Sequence, residues 1–115
     1  MSDDNINAFS LNTLRDEIYN DAVAHGLWQD ERDEWPSVCA SLIENETDEL
    51  YECAREWEDI GVDLSEPDER FIEELADVII MSMSVAGKLG IDIDAAIKRK
   101  MAINKERPWK HGKTE

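Results

Sequence analysis

The chain has 115 residues, with 28 acids against 12 Lys and Arg and a formal net charge of −16. That length suits one domain with a modest core. The charge argues against nucleic-acid polymers and anionic membranes as partners, because both would be repelled.

Residues 1–10 read as a frayed lead-in. A first helix is predicted from Leu11 to His25, with Leu14, Ile18, Ala22 and His25 on one stripe and Gly26 as terminator. Gln29–Glu34 reads as a charged loop. Pro36 suits the first turn of a second helix that runs to Ile60 and stops before Gly61. Ser65-Glu66-Pro67 is a breaker and cap before a third helix, Asp68–Leu89, which Gly90 ends. Asp92 is placed to cap a fourth helix reaching Glu106, and Pro108 and Gly112 stop regular structure. No strand-like alternation, repeat or low-complexity stretch is present. The expected fold is therefore all-α, a four-helix bundle-like single domain over 1–115 with a basic tail at 107–115, its two long helices antiparallel.

The N-terminus, Met1–Asn7, is polar and acidic, unlike a secretory signal. The apolar run Leu75–Leu89 is shorter than the roughly 20 residues of a membrane span and contains Asp77 and Lys88. Cys39 and Cys53, on one predicted helix, stand about 21 Å apart and cannot bridge. These features favour a cytoplasmic location.

Charge placement carries the functional signal. The third helix is apolar enough that Leu75, Val78, Ile79 and Ala86 suggest burial of most of its surface, yet Glu74 and Asp77 lie one turn apart within it. An ionised carboxylate in such surroundings costs several kcal/mol unless a cation or donor meets it. On the second helix, Glu46 continues the apolar stripe of Leu42 and Leu50, and Glu49 flanks it. Antiparallel pairing sets Glu46 and Glu49 opposite Glu74 and Asp77. A divalent cation would relieve four facing carboxylates, and oxygen-only ligands suit Mg²⁺ or Mn²⁺. A di-iron centre fits poorly, since neither His25 nor His111 follows an acid at the Glu-x-x-His spacing. Asp92-x-Asp94 is no EF-hand loop, because Ile97 replaces the required Gly. The bland alternative for each acid is a partly exposed side chain paired with Lys or Arg.

The motif Glu46-x-x-Glu49 followed by Glu74-x-x-Asp77 resembles the MazG-like, all-α nucleoside triphosphate pyrophosphatase superfamily, whose members include dimeric dUTPases and dCTP pyrophosphatase. Leu89-Gly90-Ile91-Asp92 and Lys100-x-x-x-Asn104-x-x-Arg107-Pro108-x-x-His111-Gly112-Lys113 resemble its closing helix and tail, so the likeness covers about residues 20–113. The resemblance implies Mg²⁺-dependent cleavage of a nucleoside triphosphate to monophosphate and pyrophosphate, with nucleotide-pool housecleaning as the expected role. Glu46, Glu49, Glu74 and Asp77 would hold Mg²⁺ (Mn²⁺ as substitute), and Glu49 would orient or deprotonate the water. Lys100, Asn104 and Arg107, one face of the fourth helix, would contact phosphate and sugar, joined by Lys110, His111 and Lys113. His25 and Trp28 would bind the base, while Trp57 reads as packing. Many relatives carry Tyr one turn after the last acid, where this chain has Met81; a preference for deoxyribose is therefore not implied. Family members assemble as homodimers or homotetramers (dimers of dimers). A rival reading is a non-catalytic helical interaction or regulatory module that retains the acids as a structural metal site.

Overall fold

The computed structural model describes residues 10–61 and 63–107. They form four α-helices and one short 3₁₀ turn: α1 (Leu11–Ala24), the turn Glu31–Glu34, α2 (Pro36–Asp59), α3 (Glu69–Lys88) and α4 (Ile93–Lys105). No strand occurs among the described residues. The all-α expectation holds, and helix ends fall within a residue or two of those predicted. No described helix is long and apolar enough to cross a membrane.

Local chemistry sets most boundaries. The Ser10 hydroxyl accepts the Thr13 N–H at 3.1 Å and caps α1; the rest of the expected lead-in, residues 1–9, lies outside the described residues. Pro36 occupies the first turn of α2, where a missing N–H costs nothing. Asp68, rather than Ser65, caps α3 by accepting from Arg70 and Phe71 N–H groups. Asp92 caps α4 through the Ala95 N–H at 3.0 Å, as its position predicted. The expected loop Gln29–Glu34 is partly ordered instead, because Asp30 and Asp33 bond reciprocally to each other's backbone N–H groups around the 3₁₀ turn.

Helices α2 and α3 form the main packed pair, and α1 crosses the C-terminal half of α3. The closest approach is at Gly87, where an added Cβ would stand 2.6 Å from the Tyr19 Cβ. Only a residue without a side chain lets α1 seat there. Trp28, Cys39 and Val85 form the buried centre, with Tyr19, Ala22, Leu27, Leu42 and Ile43 packed around it. Cys39 and Cys53 are both buried and free, as their separation required. Trp57 packs on Phe71 with ring centroids 5.3 Å apart, confirming it as a packing residue.

One expectation fails. In the isolated chain Leu75 is 43% and Ile79 52% exposed, joined by Ile72 and Ile80, while Ala86 is buried and Val78 half-buried. The reason is geometric: α1 and α2 cover one side of α3 and leave the other bare. Helix α4 likewise buries none of its residues and exposes Ile97, Met101 and Ile103. Its hold on the body is polar. Asn12 donates to the Asp92 carboxylate at 2.8 Å and accepts the Ile93 N–H at 3.0 Å, while Arg15 donates to the Ile91 carbonyl. Asn12→Ala should therefore cost about 1–2 kcal/mol. The loss should be local, so α4 amides should exchange hydrogen faster while those of α2 and α3 keep their protection.

Candidate metal centre and adjoining slot

Glu46 projects from the middle of α2, and Glu74 and Asp77 from the first half of α3. Because the two helices pair antiparallel, these three side chains converge, each offering an oxygen within 4.8 Å of the others. Glu46 and Glu74 are half-buried and Asp77 is exposed, an arrangement open on one side. Burial pushes both glutamates above the ordinary carboxylate range, and neighbouring charges add to it: Glu49, Asp77 and Glu74 act on Glu46, and Glu49 and Asp77 act on Glu74. Glu49 is exposed and stands at the rim. Three of the four expected ligands thus converge, with the fourth beside them.

No described Lys or Arg forms an ion pair with Glu46, Glu74 or Asp77. Arg70, the nearest compensating charge on Glu74, is bound to Glu56 at 2.7 Å. One Glu74 oxygen is buried without any hydrogen-bond partner. Such an acceptor carries a full desolvation penalty. A hard divalent cation fits this donor set, all oxygen and accessible from one side, and would satisfy the orphaned oxygen.

The centre should report itself in stability. In metal-free protein the folded state binds protons at Glu46 and Glu74 more tightly than the unfolded chain does. Their favourable contribution is complete below the ordinary glutamate range and is lost as pH rises through the raised values. The carboxylates held low by hydrogen bonds and Arg or Asn partners (Asp30, Asp63, Asp92) stay ionised between pH 7 and 5 and do not oppose this. The metal-free melting temperature should therefore climb as pH falls from 7 toward 5. A divalent cation held by these acids would add about 2.7 kcal/mol at a hundred times its Kd, roughly 10 °C for a domain of this size. Protons then compete with the ion, and the pH trend should invert. Differential scanning fluorimetry with and without chelator tests both signs.

Beside the acids lies a slot of about 410 Å³ between α1 and α3, lined by Leu14, Glu17, Ile18, Asp21, Ala22, Leu27, Ile80, Met81 and Ser84. Asp77, Met81 and Ser84 sit at i, i+4 and i+7, so one stripe of α3 runs from the acid cluster onto the slot floor. Ser84 is 2% exposed, and its oxygen accepts the Trp28 indole N–H at 2.8 Å.

The other expected site residues divide. His25 caps α1 and is exposed next to the slot, with Nδ1 2.8 Å from the Asp21 carbonyl. Trp28 is only 7% exposed and donates its N–H to Ser84, so it packs in the core beside the slot. Lys100 and Arg107 are exposed on α4 and Asn104 is half-buried. Helix α4 packs chiefly on α1 rather than on the α2–α3 pair that carries the acids, so within one chain its cations stand apart from them. Lys110, His111 and Lys113 lie outside the described residues. Sequence reasoning passed over Glu17, Asp21 and Ser84. The signal for Ser84 was present, a hydroxyl in an apolar run two turns after Asp77.

No solved structure matches the chain. A stretch of 36 residues, 31% of the chain, is 47% identical to a dATP/dGTP diphosphohydrolase of Cyanophage S-2L, and covers 34% of that relative's length. The match thus spans about a third of that relative. The MazG-like family model matches residues 37–115, which contain all four acids and the whole of α3 and α4. With more than half of its length matched, and with the paired acids on antiparallel helices, the chain belongs to the MazG-like family.

Proposed function

We propose that the protein is a Mg²⁺-dependent nucleotide pyrophosphohydrolase that cleaves a nucleoside triphosphate to the monophosphate and pyrophosphate. The observation that carries this reading is the convergence of Glu46, Glu74 and Asp77, without a counter-cation, next to an open slot on the same stripe of α3. The family match and the activity named for the phage relative point the same way.

Glu46, Glu74 and Asp77 would hold Mg²⁺ (or Mn²⁺), with Glu49 at the rim as a fourth ligand or as base. The ion supplies charge neutralisation at the phosphate oxygens and a lowered pKa for a bound water. The chain's own residues do the rest. Exposed and free of any described Lys or Arg, Glu49 accepts the proton of the attacking water. Water oxygen bonds to the α-phosphorus, the α–β anhydride bond breaks, and pyrophosphate leaves. The slot holds sugar and base in line with the acids, with His25 at its edge. Lys100, Asn104 and Arg107 then meet the β- and γ-phosphates, along with Lys110, His111 and Lys113 of the tail.

Since α4 stands apart from the acids of its own chain, those contacts are assigned to a second copy. The bare stripes Ile72, Leu75, Ile79 on α3 and Ile97, Met101 on α4 support a homodimer, or a homotetramer built from two. Ile79→Lys should shift the species seen by light scattering to monomer and remove activity together. A cytoplasmic role in nucleotide-pool housecleaning fits this chemistry.

The deciding experiment is a panel of ribo- and deoxynucleoside triphosphates with Mg²⁺, products resolved by chromatography. Monophosphate plus pyrophosphate is expected. A folded, metal-binding protein that turns over no nucleotide would instead be a non-catalytic module with a structural metal site. Release of orthophosphate would leave the metal centre standing and overturn the reaction.

A further inference from the structure

We propose that the α1–α3 slot selects a guanine base, through the carboxylates of Glu17 and Asp21 at its rim and the hydroxyl of Ser84 at its floor. The inference rests on the pyrophosphohydrolase reading and names the substrate class of that same site.

The walls of the slot, Leu14, Ile18, Ile80 and Met81 foremost, suit the faces of a flat ring. Its position suits a base as well. Met81 is about 6 Å and Ser84 about 10 Å along α3 from Asp77, the span of a nucleoside whose α-phosphate sits at the acids.

The polar groups are few and one-sided. Glu17 and Asp21 are i and i+4 on α1, so both carboxylates line the same edge. No described Lys or Arg pairs with either. The His25 ring nitrogen is 3.5 Å from the Asp21 carboxylate and closer, at 2.8 Å, to the Asp21 carbonyl. Ionised carboxylates only accept hydrogen bonds. This rim therefore welcomes an edge rich in N–H donors and repels one that presents carbonyl oxygens.

Among the common bases, guanine alone places two donors side by side, N1–H and the 2-amino group, which a carboxylate accepts together. Adenine and cytosine offer one amino group beside an acceptor nitrogen. Thymine and uracil flank their single N–H with two carbonyls. Ser84 adds the complementary contact. Its oxygen is occupied by the Trp28 N–H, which leaves its proton for an acceptor such as guanine O6 or N7. Being 2% exposed and fixed from below, that hydroxyl is a built feature of the floor.

The test compares dGTP with dITP, which lacks only the 2-amino group, measuring kcat/KM with Mg²⁺ and, in parallel, calorimetric binding of dGMP and dIMP. Wild type should favour the guanine nucleotide about tenfold in both assays, a modest ratio because the rim is open to solvent. In Asp21→Asn and Glu17→Gln, each made separately in case one fails to fold, that ratio should collapse toward one. Equal handling of dGTP and dITP by wild type, with turnover intact, overturns the proposal and leaves the reaction standing. A binding preference that the variants abolish, without any turnover, upholds the slot and sinks the reaction. Absence of both turnover and binding overturns both.

Discussion

Asp77→Asn should abolish the proposed pyrophosphohydrolase activity while leaving the fold intact. Replacing a carboxylate oxygen with an amide removes one of three converging carboxylates and part of the charge that would hold a hard cation. Losing about 4 kcal/mol of transition-state stabilisation corresponds to roughly a thousandfold in rate. The same change works oppositely on the metal-free protein. Asp77 is one of the charges that raise Glu46 and Glu74, so neutralising it relieves repulsion in the cluster. Its side chain is exposed and packs against no core. The variant should therefore melt at or above the wild-type temperature without metal, and gain little from Mg²⁺. Activity lost in step with circular dichroism would mean instead that Asp77 is structural. Full activity would remove it from the centre.

The elements that could be read from sequence are those governed by local chemistry. Pro36, Asp92, Gly26, Gly61 and Gly90 bound their helices where their backbone preferences dictate, and the antiparallel pairing of α2 with α3 followed from their lengths. Pairing was enough to bring Glu46 to Glu74 and Asp77, because the register of two long helices fixes which turns face each other. Burial was another matter. The apolar run of α3 reads as buried all round, but a chain has no way of declaring whether a neighbour comes from itself or from another copy. Ile72, Leu75 and Ile79 are bare for that reason. The burial of Trp28 was hidden for a related one. At a helix end, an aromatic with a polar edge suits a ligand pocket and a core equally, and only the through-space meeting with Ser84, 56 residues away, decides between them. The seating of α1 on α3 depends on Gly87 beneath Tyr19, a tertiary approach that no spacing rule predicts.

Trp28→Ala should be the most destabilising single change in the described chain. The ring lies at the centre of the core with Cys39 and Val85, and removing a buried aromatic of this size costs about 3–5 kcal/mol. Two further terms set the order of the variants. Ser84, 2% exposed, loses the indole N–H and is left with an unsatisfied buried oxygen, which adds to the loss. Trp28 also holds a left-handed backbone with φ of 69°, so the native ring is retained against a strain of about 1–2 kcal/mol. Alanine keeps that strain and glycine does not, so Trp28→Gly should be no worse than Trp28→Ala despite its smaller side chain. Trp28→Phe separates packing from the hydrogen bond: it retains most of the buried ring and should cost about 1–3 kcal/mol. Against a total stability of about 5–15 kcal/mol, the alanine variant approaches the unfolding limit at 37 °C. Chemical denaturation of the three variants would order them. If alanine proved the mildest, the ring would have to lie outside the core, and the Ser84 floor of the slot would lose its support.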